Sequence, residues 1–274
     1  MTASVILLGC GIAAAFAPWL AVQNPYDLTS ISLKNSLIPP IWMSEGRAPF
    51  LLGTDEQGRD IFSMILYGLR TSLAVGFGVV LLALTIGGTV GLLAGYFEGR
   101  AGGLAMRVAD VAYSFPAIMV AILFMGLLKK SGVSIVIAAI AAITWVRYAR
   151  TMRGKVLSEK NIEYILAAKA VGASNLRILA RHLLPNCLAP LLVVATVDIA
   201  VVIILEASLS YLGVGVPITE PSLGQVIYMG KGFLQGGKWW FVVFPGGTLV
   251  LFVVAINMLG DWLRVELNPK LRHL

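Results

Sequence analysis

The side chains that most often carry out chemistry in proteins are scarce and widely separated in this sequence. Its two histidines are His182 and His273, and its two cysteines, Cys10 and Cys187, form no CxxC pair. A zinc site needs three or four such ligands at characteristic spacings, and a disulfide framework needs more cysteines. No pairing of a nucleophile with a base stands out either. The sequence therefore favours neither a metal centre nor an enzyme.

One segment partly matches a nucleotide-binding motif. The segment Gly224–Gly232 reads GQVIYMGKG, which has one residue too many for the phosphate loop GxxxxGK[ST]. Gly232 also stands where Ser or Thr should coordinate magnesium. We therefore expect no ATPase motif in this chain.

Two acidic residues, Asp198 and Glu206, lie in a long apolar stretch, where an ionisable side chain is costly and marks a functional site by default. Helical steps of about 100° leave the two residues about 80° apart, so both can border one helix face. They are candidates for lining a path for a cationic or peptide substrate. The alternative is structural: we favour a hydrogen-bonding role for Glu206, whereas pathway lining and interhelix bonding stay equally open for Asp198.

The composition indicates which elements must position these residues. Of the 274 residues, 58% are hydrophobic and 13% are charged, and the mean hydropathy is +0.86. Soluble domains carry roughly twice this share of charge, and disordered chains combine low hydrophobicity with high charge. The composition therefore excludes both classes and predicts an all-α integral membrane protein.

Six apolar stretches can cross a bilayer, which needs about 20 mostly apolar residues per helix. We predict spans at residues 4–22, 72–97, 106–128, 132–150, 188–212 and 241–263. The fourth needs flanking residues for a full crossing, and Pro116 predicts a kink in the third. The connecting segments 23–69 and 213–240 are rich in Gly, Pro and polar residues, so we predict two sizeable extracytoplasmic segments.

The distribution of basic residues predicts the orientation. Most of the 21 Lys and Arg residues fall on one side if both termini are cytoplasmic, although Lys129 and Lys130 fall on the other. The largest group, from Arg147 to Arg181, begins at the end of the fourth span and continues through the connection to the fifth. The net charge of +7 then reflects topology, and we expect no nucleic-acid partner.

A glycine repeat in the second span has a packing interpretation. Gly87, Gly91 and Gly95 recur every four residues, a spacing that lets helices approach closely in membranes. We predict a helix-packing surface in preference to a glycine hinge.

The predicted cytoplasmic loop, residues 151–187, carries the most specific pattern. Asn161 is predicted to cap a short helix that Gly172 ends in a left-handed conformation. Ser174 is predicted to cap a second helix that stops before Pro185. Physical chemistry leaves two interpretations open: a helix pair lying on the membrane, or an element that docks on a partner protein.

The loop sequence LAAKAVGASNLRILARHLLPN resembles the EAA loop of ABC-importer permeases, a pattern of EAA, then Gly, then a spaced Leu-Pro pair. The residues at these places are Leu166, Ala167, Ala168, Gly172, Ala173, Leu184 and Pro185. Leu166 replaces the family's glutamate, which alters one polar docking contact. The segments LLGTDEQGRDIFSMILYGLRTSL, EASLSYLGVG and NMLGDWLRVELNPKLR are similar to the second permease subunit of dipeptide, oligopeptide and nickel importers.

This resemblance implies a type I ABC-importer permease, a single transmembrane domain over residues 1–274 that forms half of a translocation pathway. The implied partners are a homologous permease, two ATPase subunits that bind ATP and Mg²⁺, and an extracytoplasmic solute-binding protein. In this family the EAA loop docks on the ATPase, and the complex lies in the bacterial inner membrane. The solute stays open between small peptides and nickel or a metal chelate. The alternative from another class is a stand-alone, proton-coupled secondary transporter with Asp198 as its proton site.

Overall fold

The computed structural model describes residues 2–97, 99–128 and 132–267. Over these ranges the regular elements are helical, apart from one isolated bridge between Thr54 and Asp60. The helices are α1 (Thr2–Ala15), α2 (Ala17–Leu20), α3 (Ile61–Tyr96), α4 (Arg100–Tyr113), α5 (Ala117–Leu128), α6 (Val133–Glu159), α7 (Glu163–Ala170), α8 (Asn175–Ile178), α9 (Leu184–Tyr211), α10 (Leu223–Gly230) and α11 (Trp240–Leu267). A π-helical segment, Leu179–Leu183, joins α8 to α9. The predicted all-α class is confirmed.

Among the described residues, four continuous helices are long and apolar enough to cross a membrane: α3, α6, α11 and the helix Asn175–Tyr211, which contains α8 and α9. Helices α4 and α5 pass the same test together, with a bend of 95° between them. Helix α1 has 14 residues, or about 21 Å, which is shorter than a bilayer core of about 30 Å. The count of six spans therefore stays a prediction. Lys129, Lys130 and the end of the segment NMLGDWLRVELNPKLR lie outside the described residues.

Helix α3 begins earlier than the predicted span at residue 72. Asp60 caps it, because its carboxylate accepts the Ser63 backbone N–H at 2.7 Å. The end of the predicted outer segment 23–69 is therefore helical. The second outer segment, 213–240, contains α10.

The glycine repeat lies where α3 packs on α6. A methyl group built on Gly87 would lie 2.1 Å from the Trp145 carbonyl oxygen, and one on Gly91 would lie 2.3 Å from that of Ala149. The predicted packing surface is confirmed, because no larger side chain fits at these distances. Further along, Gly95 meets Val156, so α3 and α6 run parallel. Helices α4 and α5 therefore carry the chain back from the end of α3 to the start of α6.

Because α3 and α6 run parallel, the helix bundle has two distinct ends. The segment 21–60 lies at the N-terminal end of α3, where Asp55 and Arg59 form a buried ion pair at 2.6 Å within the TDEQGRD turn. The α7–α8 region lies at the opposite end, where the Tyr96 hydroxyl donates a hydrogen bond of 2.8 Å to Asn175 Oδ1.

Candidate functional site

The junction between α7 and α8 turns at a glycine. Gly172 has φ of +79°, its N–H donates to the Lys169 carbonyl at 2.9 Å, and the Ala173 N–H donates to the Ala168 carbonyl at 3.0 Å. These two bonds form the helix-ending motif that requires a left-handed residue, so the prediction for Gly172 is confirmed. Ser174 caps α8 as predicted, because its hydroxyl accepts the Arg177 N–H.

Two local predictions in this region are wrong. Asn161 does not cap α7, since Ile162 occupies the capping position and no side chain bonds there. The second helix does not stop before Pro185 but continues into α9. The π turn explains the continuation: the Leu184 N–H bonds five residues back to Leu179. Pro185 lies directly after this π segment, in the first turn of α9.

The α7–α8 region has a buried face and an exposed face. Ile165 and Ile178 are fully buried and fix the two short helices to the bundle. On the other face Leu166, Val171 and Leu176 are 49%, 87% and 76% exposed. We call these three residues, with Gly172, the coupling surface. Apolar side chains left this exposed mark a contact with another protein or with the membrane surface.

The residues in register with the EAA pattern divide between these faces. Leu166, Ala167 and Gly172 are exposed. Ala168, Ala173 and Leu184 are partly buried and pack against the main core. Pro185 is exposed at the start of α9. Four of these seven residues are therefore exposed, and the other three attach the region to the bundle.

A chain of polar contacts ties the coupling surface to two long helices. At the end of α6, Lys155 and Glu159 pair at 2.6 Å. The Tyr164 hydroxyl of α7 donates to Glu159 Oε2 at 3.0 Å and accepts from Asn186 Nδ2 of α9 at 3.1 Å. Desolvation, together with the neighbouring Glu159 carboxylate, raises the pKa of the Tyr164 hydroxyl. Tyr164 of α7 therefore contacts both α6 and α9.

The acidic residue Asp198 forms an ion pair between two long helices. Arg147 Nη1 of α6 donates to its Oδ1, and the Tyr148 side chain lies beside the same carboxylate. The pair borders a cavity of about 290 Å³ between α6, α9 and the break between α4 and α5. Asp198 is thus both an interhelix contact and part of a cavity wall.

Glu206 has a different environment, at the end of α9 towards the segment 213–240. It is fully buried, and its carboxylate accepts hydrogen bonds from the Ser72 hydroxyl at 3.0 Å and the Ser210 hydroxyl at 2.8 Å. Ser210 also accepts the Val216 N–H at 3.1 Å. These contacts join α3, α9 and the following loop.

Comparison with known families decides the identity of this arrangement. Residues 87–273, which contain the coupling surface and the Arg147–Asp198 pair, match the family described as "Binding-protein-dependent transport system inner membrane component". The chain belongs to this family. It is therefore a multi-pass inner-membrane permease subunit of a binding-protein-dependent transport system.

Curated relatives resemble this permease over nearly its whole length. The di/tripeptide transport system permease protein DppC of Pseudomonas aeruginosa is 40% identical over 95% of this chain and 84% of its own. The dipeptide transport system permease protein DppC of Haemophilus influenzae is 36% identical over 98% and 90%. That of Bacillus subtilis is 38% identical over 100% and 82%. The resemblance seen in the sequence is confirmed.

Solved structures support the same fold for the permease. The MetNI methionine ABC transporter, in inward-facing conformations, matches with a TM-score of 0.61 at 22% identity, over 75% of this chain and 96% of that chain. An amino acid ABC transporter crystallised with histidines matches with a TM-score of 0.57 at 14% identity, over 77% and 94%. Both likenesses confirm the fold class.

The sequence reasoning missed three residues of the permease that the structure brings into these sites. Arg147 was grouped with the basic residues of the cytoplasmic loop, but it pairs with Asp198 inside the bundle. Tyr164 and Asn186 form the link between α7 and α9. Arg147 had a usable signal, since a carboxylate at membrane depth needs a cationic partner and Arg147 lies at the edge of an apolar stretch. The other two had none, because their contact depends on the tertiary fold.

Proposed function

We propose that this permease forms half of the translocation pathway of an ATP-driven importer for di- or oligopeptides. It pairs with a homologous permease, two ATPase subunits bind ATP and Mg²⁺, and an extracytoplasmic binding protein delivers the solute. The chain itself needs no cofactor and hydrolyses no ATP. Both termini are cytoplasmic, so the coupling surface faces the cytoplasm and the segment 21–60 faces the binding protein.

One observation carries the proposal, namely the coupling surface and its attachments. Its exposed apolar residues fit docking on another protein, and Tyr164 links them to α6 and α9. A subunit that moves this surface also moves the helices that border the cavity at Asp198. This is the connection that a permease needs in order to turn ATPase motion into altered access.

The docking is testable by site-specific cross-linking in the assembled complex. Val171 is 87% exposed on the coupling surface, and Leu33 is 76% exposed at the opposite end of the bundle. We expect Val171→Cys to cross-link to an ATPase subunit and the control Leu33→Cys not to do so. The reverse result would place the ATPases at the other end and contradict the proposed orientation.

The peptide substrate is supported by the relatives, all three of which are named as di- or tripeptide transport permeases. The test is uptake by the complete complex with its binding protein, with radiolabelled dipeptides and nickel supplied in separate assays. We expect ATP-dependent peptide uptake. Nickel uptake without peptide uptake would favour the metal-importer alternative instead.

The secondary-transporter alternative places a proton on Asp198. The contact between Asp198 and Arg147 speaks against it, because an existing cationic partner reduces the gain from binding a proton. That alternative predicts uptake by this chain alone, driven by a pH gradient.

A further inference from the structure

A charged pair inside the helix bundle invites a more specific interpretation than helix bonding alone. Arg147 belongs to α6 and Asp198 to the middle of α9, and both helices are long and apolar enough to cross a membrane. Ionisable side chains at such depth are rare, and they mark substrate or ion pathways. The depth of the pair therefore suggests a role in the pathway.

The two members of the pair are unequally accessible. The Asp198 side chain is 2% exposed, whereas the Arg147 side chain is 44% exposed. Within the described ranges, the hydrogen bond from Arg147 uses Nη1, which leaves Nε and Nη2 for another acceptor. A guanidinium presents its donors as a planar fork that matches a carboxylate. Asp198 therefore holds one edge of the guanidinium, and both side chains line the cavity.

The cavity beside Arg147 has the features of a binding site. Its volume is about 290 Å³, close to the lower limit of known ligand pockets. Tyr113 and Phe115 line it at the break between α4 and α5, and Ala117, the first residue of α5, lies in its wall. The first N–H groups of a helix carry partial positive charge, which adds to that of Arg147. Broken helices at membrane depth occur where the backbone lines such a cavity.

We propose that Arg147 binds the terminal carboxylate of the peptide during its passage, and that Asp198 is a positioning residue for the guanidinium. In the absence of peptide, Asp198 balances the charge of Arg147 and lowers the cost of holding it in the membrane. Every unmodified linear peptide carries a free terminal carboxylate, whatever its side chains, and a carboxylate complements a guanidinium. The inference rests on the proposed peptide-import function and adds the substrate group that the pathway recognises.

The first test is peptide uptake by the complete complex in proteoliposomes, with the binding protein at saturation. We expect Arg147→Gln to lower the maximal rate at least about tenfold, which matches the loss of a charged hydrogen bond. The maximal rate of Arg147→Lys should lie between those of Arg147→Gln and the wild type. The KM should stay unchanged, because the binding protein captures the solute. Arg107→Gln is the control, since Arg107 is exposed on α4 and lies outside the cavity lining that the structure describes. An equal loss in the control would overturn the proposal.

The double variant Arg147→Gln with Asp198→Asn separates substrate binding from helix bonding. It removes both charges, so it leaves no unpaired carboxylate in the membrane even if Arg147→Gln alone fails to assemble. We expect the double variant to assemble, measured by co-purification of the ATPase subunits, and to remain as slow as Arg147→Gln. Restored uptake would overturn the proposal, because the pair would then matter only through its mutual neutralisation. Loss of assembly would overturn it as well, because the pair would then serve to hold α6 against α9.

The carboxylate itself is tested by equilibrium dialysis of tritiated dialanine against the nucleotide-free complex without its binding protein. We expect excess unlabelled dialanine to displace the label and dialanine amide not to displace it. Equal displacement by the amide, or no measurable binding, would overturn the assignment of Arg147. The proposed function itself fails only if the wild-type complex imports no peptide, so the two failures are distinguishable.

Discussion

Substitutions at Gly172 test the coupling surface without disturbing its packing. Gly172 has φ of +79°, and a methyl group built on it meets no atom within 4 Å. A new side chain there is therefore not excluded by contact with neighbouring atoms. Its effect comes from the backbone, which must keep a left-handed conformation or rearrange.

The size of that effect follows from known backbone preferences. A residue with a Cβ pays about 1–2 kcal/mol in the left-handed region, Asn tolerates the region best, and a β-branched residue tolerates it worst. An energy of this size changes a local equilibrium by a factor of roughly 5–30. The expected order of damage is Gly172→Asn, then Gly172→Ala, then Gly172→Val. Ile165 and Ile178 keep the short helices attached to the bundle, so we expect uncoupling rather than unfolding.

The assay is the number of ATP molecules hydrolysed per peptide imported by the reconstituted complex. We expect this ratio to rise along the series while the amount of assembled complex stays constant. Gly154→Val is the matched control, because Gly154 lies within α6 and also has no atom near a built methyl group. Wild-type coupling in Gly172→Val at normal abundance would refute the role of the junction, and so would equal uncoupling in the control.

Three further substitutions, one of them with a control substitution, test other parts of the account. Gly91→Leu should prevent α3 from packing on α6 and reduce the abundance of the complex. The control Gly126→Ala, with open space around it, should leave the abundance unchanged. Immunoblots of membranes measure the abundance of each variant. Glu206→Ala should lower the melting temperature of the purified complex by leaving buried hydroxyls unpaired, at a cost of about 1–3 kcal/mol, without changing the preference among peptides. Tyr164→Phe should remove the bonds to Glu159 and Asn186 and raise the ATP-to-peptide ratio while assembly is preserved. An unchanged ratio would show that these hydrogen bonds are not needed for coupling.

The features that depend on local chemistry could be predicted from the sequence. Apolar content and the spacing of apolar stretches indicate membrane helices, a glycine after a short helix predicts a left-handed junction, and the repeat at Gly87 predicts close packing. Each of these depends on residues near one another in the chain. The wrong prediction at Pro185 has a local cause too, since the π turn that bypasses the proline carries no strong sequence signal.

The features that depend on the tertiary fold could not be predicted in the same way. The partner of Asp198 lies 51 positions away in the sequence, at Arg147. The attachment of α7 depends on the hydrogen bond between Asn186 and Tyr164. The sequence alone does not predict the geometry that brings these two residues together. The choice between pathway lining and helix bonding for Asp198 was open for the same reason, because it depends on which side chain faces the cavity.

The most direct test of the central claim is peptide uptake into proteoliposomes that contain this permease, its partner permease and the binding protein, with and without the ATPase subunits. The account predicts uptake only when the ATPases and ATP are both present, and no uptake in response to an imposed pH gradient. Uptake in the absence of the ATPases, driven by that gradient, would contradict it.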